Sequence, residues 1–320
     1  MQGTVYKSTG SWYIIKGEDN IFYKSRIKGK FRLKGIKSTN PIAVGDKVDF
    51  KVEEGIVDEA ERTAVINNIH PRENYIVRKS VNLSKQTHII ASNIDVVFLL
   101  ITLNNPPTST SFIDRFLVSA AAYKIKAVLL FNKTDTYSEE ELDEAKYMAY
   151  MYGEIGYDCL GISAKTGRNL DKLQEMMKDK VCMFSGHSGV GKSTLVNAIE
   201  PSLNLKTKEV SEQHSQGQHT TTFAEMYDLD CGVRIIDTPG IKGFGVVDIE
   251  PQELSGYFPE FFELKSECKF NNCLHKDEPK CAVKDALEED KIAWSRYQSY
   301  LQILEGDGEQ HFRKDIHRIG

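Results

Sequence analysis

Eight residues, Gly186-His187-Ser188-Gly189-Val190-Gly191-Lys192-Ser193, follow an apolar run at 181–185 and lead into a helical stretch from 192 to 199. The pattern G-x-x-x-x-G-K-[ST] between a strand and a helix leaves few folds open. Its glycines let the backbone curl until N–H groups point at phosphate oxygens. Lys192 then reaches the β- and γ-phosphates, and the Ser193 hydroxyl ligates magnesium. A strand that ends in such a loop belongs to a parallel sheet covered by helices on both faces. The middle of the chain agrees. Residues 94–103 are continuously apolar, 112–123 have helical period and 125–131 are apolar again. Further strands are expected at 157–162, 223–229 and 233–236.

Three more short motifs stand at the ends of expected strands. Asn132-Lys133-Thr134-Asp135 resembles the N-K-x-D guanine-specificity motif of translation-factor-type GTPases. Its aspartate carboxylate accepts hydrogen bonds from guanine N1–H and the 2-amino group, which adenine does not offer in that arrangement. Ser163-Ala164-Lys165 resembles the S-A-K element whose backbone supports the guanine carbonyl oxygen. Asp237-Thr238-Pro239-Gly240 resembles D-x-x-G, in which the aspartate holds magnesium through water and the glycine N–H senses the γ-phosphate. An ATPase reading would have to disregard Asp135.

The order of these pieces is the diagnostic point. Ordinary GTPases begin with the phosphate loop, whereas here N-K-x-D and S-A-K precede it and D-x-x-G closes the series. The domain is therefore circularly permuted, which is feasible where chain ends lie close together. Residues 201–222 are polar, without apolar period, and contain Gly217-Gln218-His219-Thr220-Thr221-Thr222, so the first nucleotide-sensing switch belongs there. Thr221 is the expected second hydroxyl on magnesium, with Thr220 and Thr222 as alternatives. Ras-like proteins follow the D-x-x-G glycine with a Gln that orients the attacking water, but Ile241 stands here. His219 is the nearest polar candidate for a catalytic role on that water.

At 320 residues the chain exceeds one hydrophobic core, so more than one domain is expected. No apolar run reaches the roughly 18 residues of a membrane helix, and the first residues lack a secretory apolar stretch, so a cytoplasmic protein is expected, with no membrane partner. The net charge of −5 conceals an asymmetry. Residues 1–90 carry 16 Lys and Arg against 10 Asp and Glu, a net of +6, while the rest carry 25 against 36, a net of −11. Lys24, Arg26, Lys28, Lys30, Arg32 and Lys34 alternate with Tyr23, Ile27, Phe31 and Leu33, which reads as a hairpin with a basic outer stripe. Such a stripe suits a nucleic-acid backbone, with Trp12, Tyr13 and Phe22 as stacking surfaces; alternatively it is a solvated, Lys-protected strand face. Short alternating segments within residues 1–70 indicate a small closed barrel, of OB or SH3-like type, which residues 71–74 leave.

Beyond the nucleotide motifs, Cys268-x4-Cys273-x-His275-x5-Cys281 offers three thiolates and an imidazole, the donor set of a closed structural zinc site. The other cysteines, Cys159, Cys182 and Cys231, read as buried fillers. Residues 285–304 read as one helix whose stripe of Trp294, Tyr297, Tyr300, Leu301 and Leu304 forms local core.

Basic barrel, permuted nucleotide domain and zinc spacing together resemble the ribosome small subunit-dependent GTPase A family, RsgA or YjeQ, over nearly the whole chain. The resemblance implies an OB-fold domain at 1–72, a circularly permuted α/β P-loop GTPase domain at 73–245 and a mainly α zinc domain at 246–320. It implies GTP and GDP with Mg2+, one structural Zn2+, nucleotide contacts at Asn132–Asp135 and at 186–194 (through Thr194), zinc ligands Cys268, Cys273, His275 and Cys281, and His219 as the switch histidine. It further implies a monomer that binds the small ribosomal subunit and its rRNA, assists late maturation, and hydrolyses GTP when stimulated by the subunit. The alternative is a GTP-dependent RNA-binding or chaperone module in which hydrolysis is secondary. Some relatives carry a basic N-terminal extension, whereas here Met1 sits almost on the first strand.

Overall fold

The structure, a computed structural model, describes residues 1–27, 41–53, 62–79, 87–203, 224–229, 232–237 and 249–306. Lys28–Lys34 of the basic stripe, Cys231, His219, Thr220–Thr222, Thr238–Gly240 and Ile241 lie outside them.

Five strands, β1 (Gln2–Ser8), β2 (Tyr13–Gly17), β3 (Phe22–Ile27), β4 (Lys47–Val52) and β5 (Thr63–Ile69), close on themselves in the order β1-β2-β3-β5-β4-β1. All pairs are antiparallel except β3 with β5. This is the OB-type barrel rather than the SH3-like one. Alternation buries Val5, Tyr13, Ile15, Tyr23, Val48, Phe50, Ala64 and Ile66 inside. Tyr13 is thus a core residue at 1% exposure, and the expectation that it offers a stacking surface fails because period two turns it inward. Trp12 and Phe22, 42% and 50% exposed, do face outward. Lys24 Nζ lies 5.3 Å from the Trp12 ring centroid, and Arg26 pairs with Glu53 at 2.7 Å.

A hairpin that the sequence reading missed, β6 (Tyr75–Lys79) with β7 (Thr87–Ser92), leads out of the barrel. Asp46 ties the two together: it accepts from Arg72 Nε and Nη2 at 2.6 Å each and from the Ser92 hydroxyl at 2.6 Å.

Parallel strands β10 (Asp158–Gly161), β9 (Lys126–Phe131), β8 (Val96–Ile101), β11 (Val181–Ser185) and β13 (Arg234–Asp237) follow in that spatial order. The expectation of an all-parallel sheet is corrected at the next strand, β12 (Glu225–Asp228), which is antiparallel to β13. The link between them is too short for a crossover, and Leu229 N donates to Val233 O at 2.8 Å to make a hairpin. Helices α1 (Thr110–Ala122) and α2 (Glu139–Glu154) pack on one face; α3 (Leu170–Met177) and α4 (Lys192–Ile199) pack on the other.

Strand β12 also pairs with β1, Glu225 opposite Lys7, so barrel and parallel strands form one eleven-stranded sheet. A bulge between Val5 and Lys7 makes the junction possible. Two consecutive residues are buried in different cores, Val5 inside the barrel and Tyr6 beside Met226 and Ile236.

The C-terminal part holds α5 (Pro251–Leu254), α6 (Pro259–Leu264), α7 (Ala282–Glu288) and α8 (Trp294–Glu305). The single helix expected at 285–304 is therefore two. Asp290, at φ +56°, closes the first, and Lys291 N returns to Ala286 O at 2.9 Å. These helices share a core with Val118 of α1.

Candidate functional site

The phosphate-loop motif leaves the C-terminal end of β11, at the middle of the sheet. Only glycine suits two of its positions. Gly186, at φ +139°, lies where an added Cβ would stand 2.7 Å from Leu100 O, and at Gly191, φ +99°, it would stand 2.5 Å from Asn132 Nδ2. Gly191 caps α4, so Ser193 and Thr194 occupy the helix's first turn. The Lys192 ammonium folds over the loop, donating to Gly186 O and His187 O at 2.7 Å each. Burial lowers its pKa against the attraction of Asp237, the last residue of β13. Ser188 and Gly189 are exposed, whereas the His187 ring stacks on Phe112 of α1, centroids 3.8 Å apart.

Strand β9 delivers Asn132 to Asp135 beside this loop. Asn132 is buried and bridges two neighbours: Nδ2 donates to Val190 O at 2.8 Å, and Oδ1 accepts from Ala164 N at 3.1 Å. Its own carbonyl accepts from the Tyr137 hydroxyl at 2.7 Å. One side chain thus locks the guanine-type motif to the phosphate loop and to the S-A-K turn. Asp135 is exposed, and its Oδ1 accepts from the Ser163 hydroxyl at 2.6 Å. Ser163 Oγ in turn accepts from Thr166 N at 3.1 Å, so the turn holds the carboxylate's orientation. Thr134 donates to Ile162 O at 3.0 Å, and Lys133, at φ +64°, sends its ammonium to Asn105 O at 2.6 Å. Lys165 projects outward. Among the described residues, those expected to touch nucleotide converge at the C-terminal ends of β9, β10, β11 and β13. The roles of Asn132 as a bridge and of Tyr137 and Phe112 as supports were not read from sequence, because no spacing rule marks them.

A second constellation lies in the C-terminal part. The ligand atoms of Cys268, Cys273, His275 and Cys281 all lie within 4.8 Å of one another, and all four residues are buried. His275 Nδ1 is 3.6 Å from Cys268 Sγ and 3.3 Å from Cys281 Sγ, and those sulfurs are 4.0 Å apart. A tetrahedral zinc with its usual bond lengths gives edges of about 3.5–3.8 Å, so the donor set and its spacing fit that ion. Helix α8 braces the ligand loop: the Tyr297 hydroxyl donates to His275 O and the Tyr300 hydroxyl to Leu274 O, both at 2.8 Å. The stripe of Tyr297 and Tyr300 is thus core with a polar task, while Trp294 at its start is 57% exposed. From the same helix, Arg296 reaches Asp114 of α1 at 2.6 Å and Glu260 of α6 at 2.7 Å, fastening the metal-type domain to the nucleotide domain.

A closed OB-type barrel, a P-loop sheet whose guanine-type motifs precede the phosphate loop, and a Cys3His cluster define a circularly permuted GTPase with flanking domains. The RsgA GTPase family model matches residues 69–247 and the RsgA N-terminal domain model residues 2–57. A protein named small ribosomal subunit biogenesis GTPase RsgA from Christiangramia forsetii is 70% identical over 98% of this chain and 99% of its own length. Its namesake from Flavobacterium johnsoniae is 69% identical over 99% and 96%. Among solved structures, YjeQ from Thermotoga maritima superposes with a TM-score of 0.76 at 34% identity, covering 95% of this chain and 97% of that one. YloQ, described as a circularly permuted GTPase, gives 0.74 at 29% identity, covering 97% and 95%. The chain belongs to the RsgA GTPase family and is a GTP hydrolase. A guanine nucleotide is its ligand, and no described helix is long and apolar enough to cross a membrane.

Proposed function

We propose that this GTPase acts in the cytoplasm, as a monomer, on the small ribosomal subunit. It binds the subunit and its rRNA and assists late maturation, and GTP hydrolysis to GDP is stimulated by the subunit. The relatives' shared name supports the subunit as partner. The observation that carries the nucleotide reading is the Asn132 bridge between guanine-type loop, S-A-K turn and phosphate loop. A single ligand of base plus phosphates spans those three segments.

In this reading Asp135 accepts from guanine N1–H and the 2-amino group, held in orientation by Ser163, and Ala164 and Lys165 line the base through their backbone. Backbone N–H groups from 186 to 194 and the Lys192 ammonium receive the phosphates. Ser193 and Thr221 ligate Mg2+ and Asp237 faces it, which supplies charge neutralisation of the phosphates when bound. Gly240 senses the γ-phosphate, and His219 orients the attacking water. Cys268, Cys273, His275 and Cys281 hold one structural Zn2+, which supplies a cross-link for the loop 268–281, a stretch with neither helix nor strand. The chain divides at 1–72, 73–245 and 246–320, and the barrel's outward Trp12, Phe22, Lys24 and Arg26 face RNA.

The test is GTP turnover measured separately with small subunits, large subunits and free rRNA. Stimulation by small subunits alone is expected, and an equal response to all three overturns the proposal. Asp135→Asn should move nucleotide preference from guanine toward xanthine, whose 2-oxo group suits an amide.

A further inference from the structure

The junction between barrel and nucleotide sheet lies against the phosphate site. Strand β12 pairs with β1 on one side and β13 on the other, and Lys7, Glu225 and Asp237 form one rung across the three strands. Directly opposed residues in antiparallel strands project to the same face, with Cβ atoms about 5 Å apart. Lys7 Nζ meets Glu225 Oε2 at 2.9 Å, and the two side chains retain 33% and 27% exposure, so solvent screens their charges only in part. Tyr227, two residues beyond Glu225, shares this face. Burial, reinforced by the charges of Glu225 and Asp237, pushes its phenol up to about 12. On the far side, Asp237 attracts the Lys192 ammonium of the phosphate loop. The charges therefore run plus, minus, minus, plus from barrel to phosphate loop. Three residues along β12, on its other face, Asp228 accepts from the Tyr6 hydroxyl at 2.6 Å and from Lys16 at 2.7 Å, which holds β1 against β12.

We propose that Lys7 is a positioning residue of the phosphate–magnesium site: by neutralising Glu225 it sets the field at Asp237, so attachment of the barrel tunes how strongly nucleotide binding depends on Mg2+. This rests on Asp237 being the magnesium-side aspartate. Without Lys7, the Glu225 carboxylate adds negative charge beside Asp237, which attracts the cation and repels phosphates. Without Glu225, the Lys7 ammonium does the reverse. A seam that merely packs would not give opposite signs.

The experiment uses the full chain and N-methylanthraniloyl-GDP fluorescence, titrated in EDTA and across a Mg2+ series. Lys7→Met is expected to lower the half-saturating Mg2+ concentration and to weaken binding in EDTA, each by roughly threefold or more. Glu225→Gln is expected to shift both quantities the other way by a similar factor. Lys7→Met/Glu225→Gln together, and Lys7→Arg alone, should lie within about twofold of the unsubstituted chain. Single variants that shift in the same direction, or a Mg2+ dependence unmoved in both, overturn the proposal. Asp237→Asn separates the two levels. If it leaves the Mg2+ dependence unchanged, the reading of the site is wrong. If it raises the requirement while both rung variants behave as the unsubstituted chain, the site reading stands and the role of Lys7 falls.

Discussion

Replacing Arg296 with Met should detach the C-terminal domain from α1. The guanidinium donates to Asp114 Oδ1 at 2.6 Å and to Glu260 Oε1 and Oε2 at 2.7 and 3.1 Å, and it lies 4.5 Å from the Phe258 ring centroid. The three charged side chains are 2%, 0% and 9% exposed. Met keeps most of the apolar packing, so the loss is electrostatic: two carboxylates stay buried with no cation. Removing one partner of a buried pair costs about 3–5 kcal/mol. The Tyr152 hydroxyl still donates to Asp114 at 2.8 Å, which places the expectation near the lower bound, about 3 kcal/mol. Urea unfolding with zinc present, followed by tryptophan fluorescence in a Trp12→Phe background, reads the transition through Trp294. Arg296→Met/Asp114→Asn/Glu260→Gln removes all three charges and should recover most of the loss, to within about 1 kcal/mol. A deficit below about 1 kcal/mol in the single variant, or a triple variant no more stable than the single one, would refute the reasoning.

Other substitutions probe the nucleotide and metal sites. Ser163→Ala removes the 2.6 Å bond that orients Asp135 and should weaken GDP binding about tenfold in isothermal titration, with the Mg2+ dependence unaltered. Gly191→Ala sets a Cβ against Asn132 Nδ2 at a positive φ and should abolish measurable GDP binding while circular dichroism stays that of the parent. Zinc release by a chelator, quantified with a chromogenic dye, should give one ion per chain, and Tyr297→Phe should speed that release several-fold because the loop loses its tie at His275 O. Partial burial pushes the Cys159 thiol up to about 12, so its alkylation should be slower at pH 8 than that of a free thiol and rise with pH up to that value; labelling at the rate of a free thiol would contradict the shift.

Period-two alternation in residues 1–70 and unbroken apolar runs at β8, β9 and β11 carry their own burial pattern, so barrel and parallel strands were legible from sequence. The nucleotide motifs were legible because each is a continuous string with a chemical task. The direction of β12 was not, since a four-residue strand reads alike in either orientation and only the short hairpin to β13 decides it. Nor was the break at Asp290, where one left-handed residue interrupts an otherwise helical pattern. Long-range roles left no local trace: Asn132 is 58 residues from its Val190 partner, and Asp114 is 182 from Arg296. His219, Thr221 and Gly240 stand as sequence readings.

Closing the sheet with the barrel has a consequence for the protein as a solute. Strand β12 would otherwise be a sheet edge, a row of unpaired N–H and C=O groups on which another chain could add itself. Pairing with β1 covers part of that row, and the opposite boundary is β10, only four residues long. A chain trimmed to begin after the barrel would therefore lose more than the outward Trp12, Phe22 and Lys24. It would expose a template for self-association, so the front module also acts as the edge guard of the domain behind it.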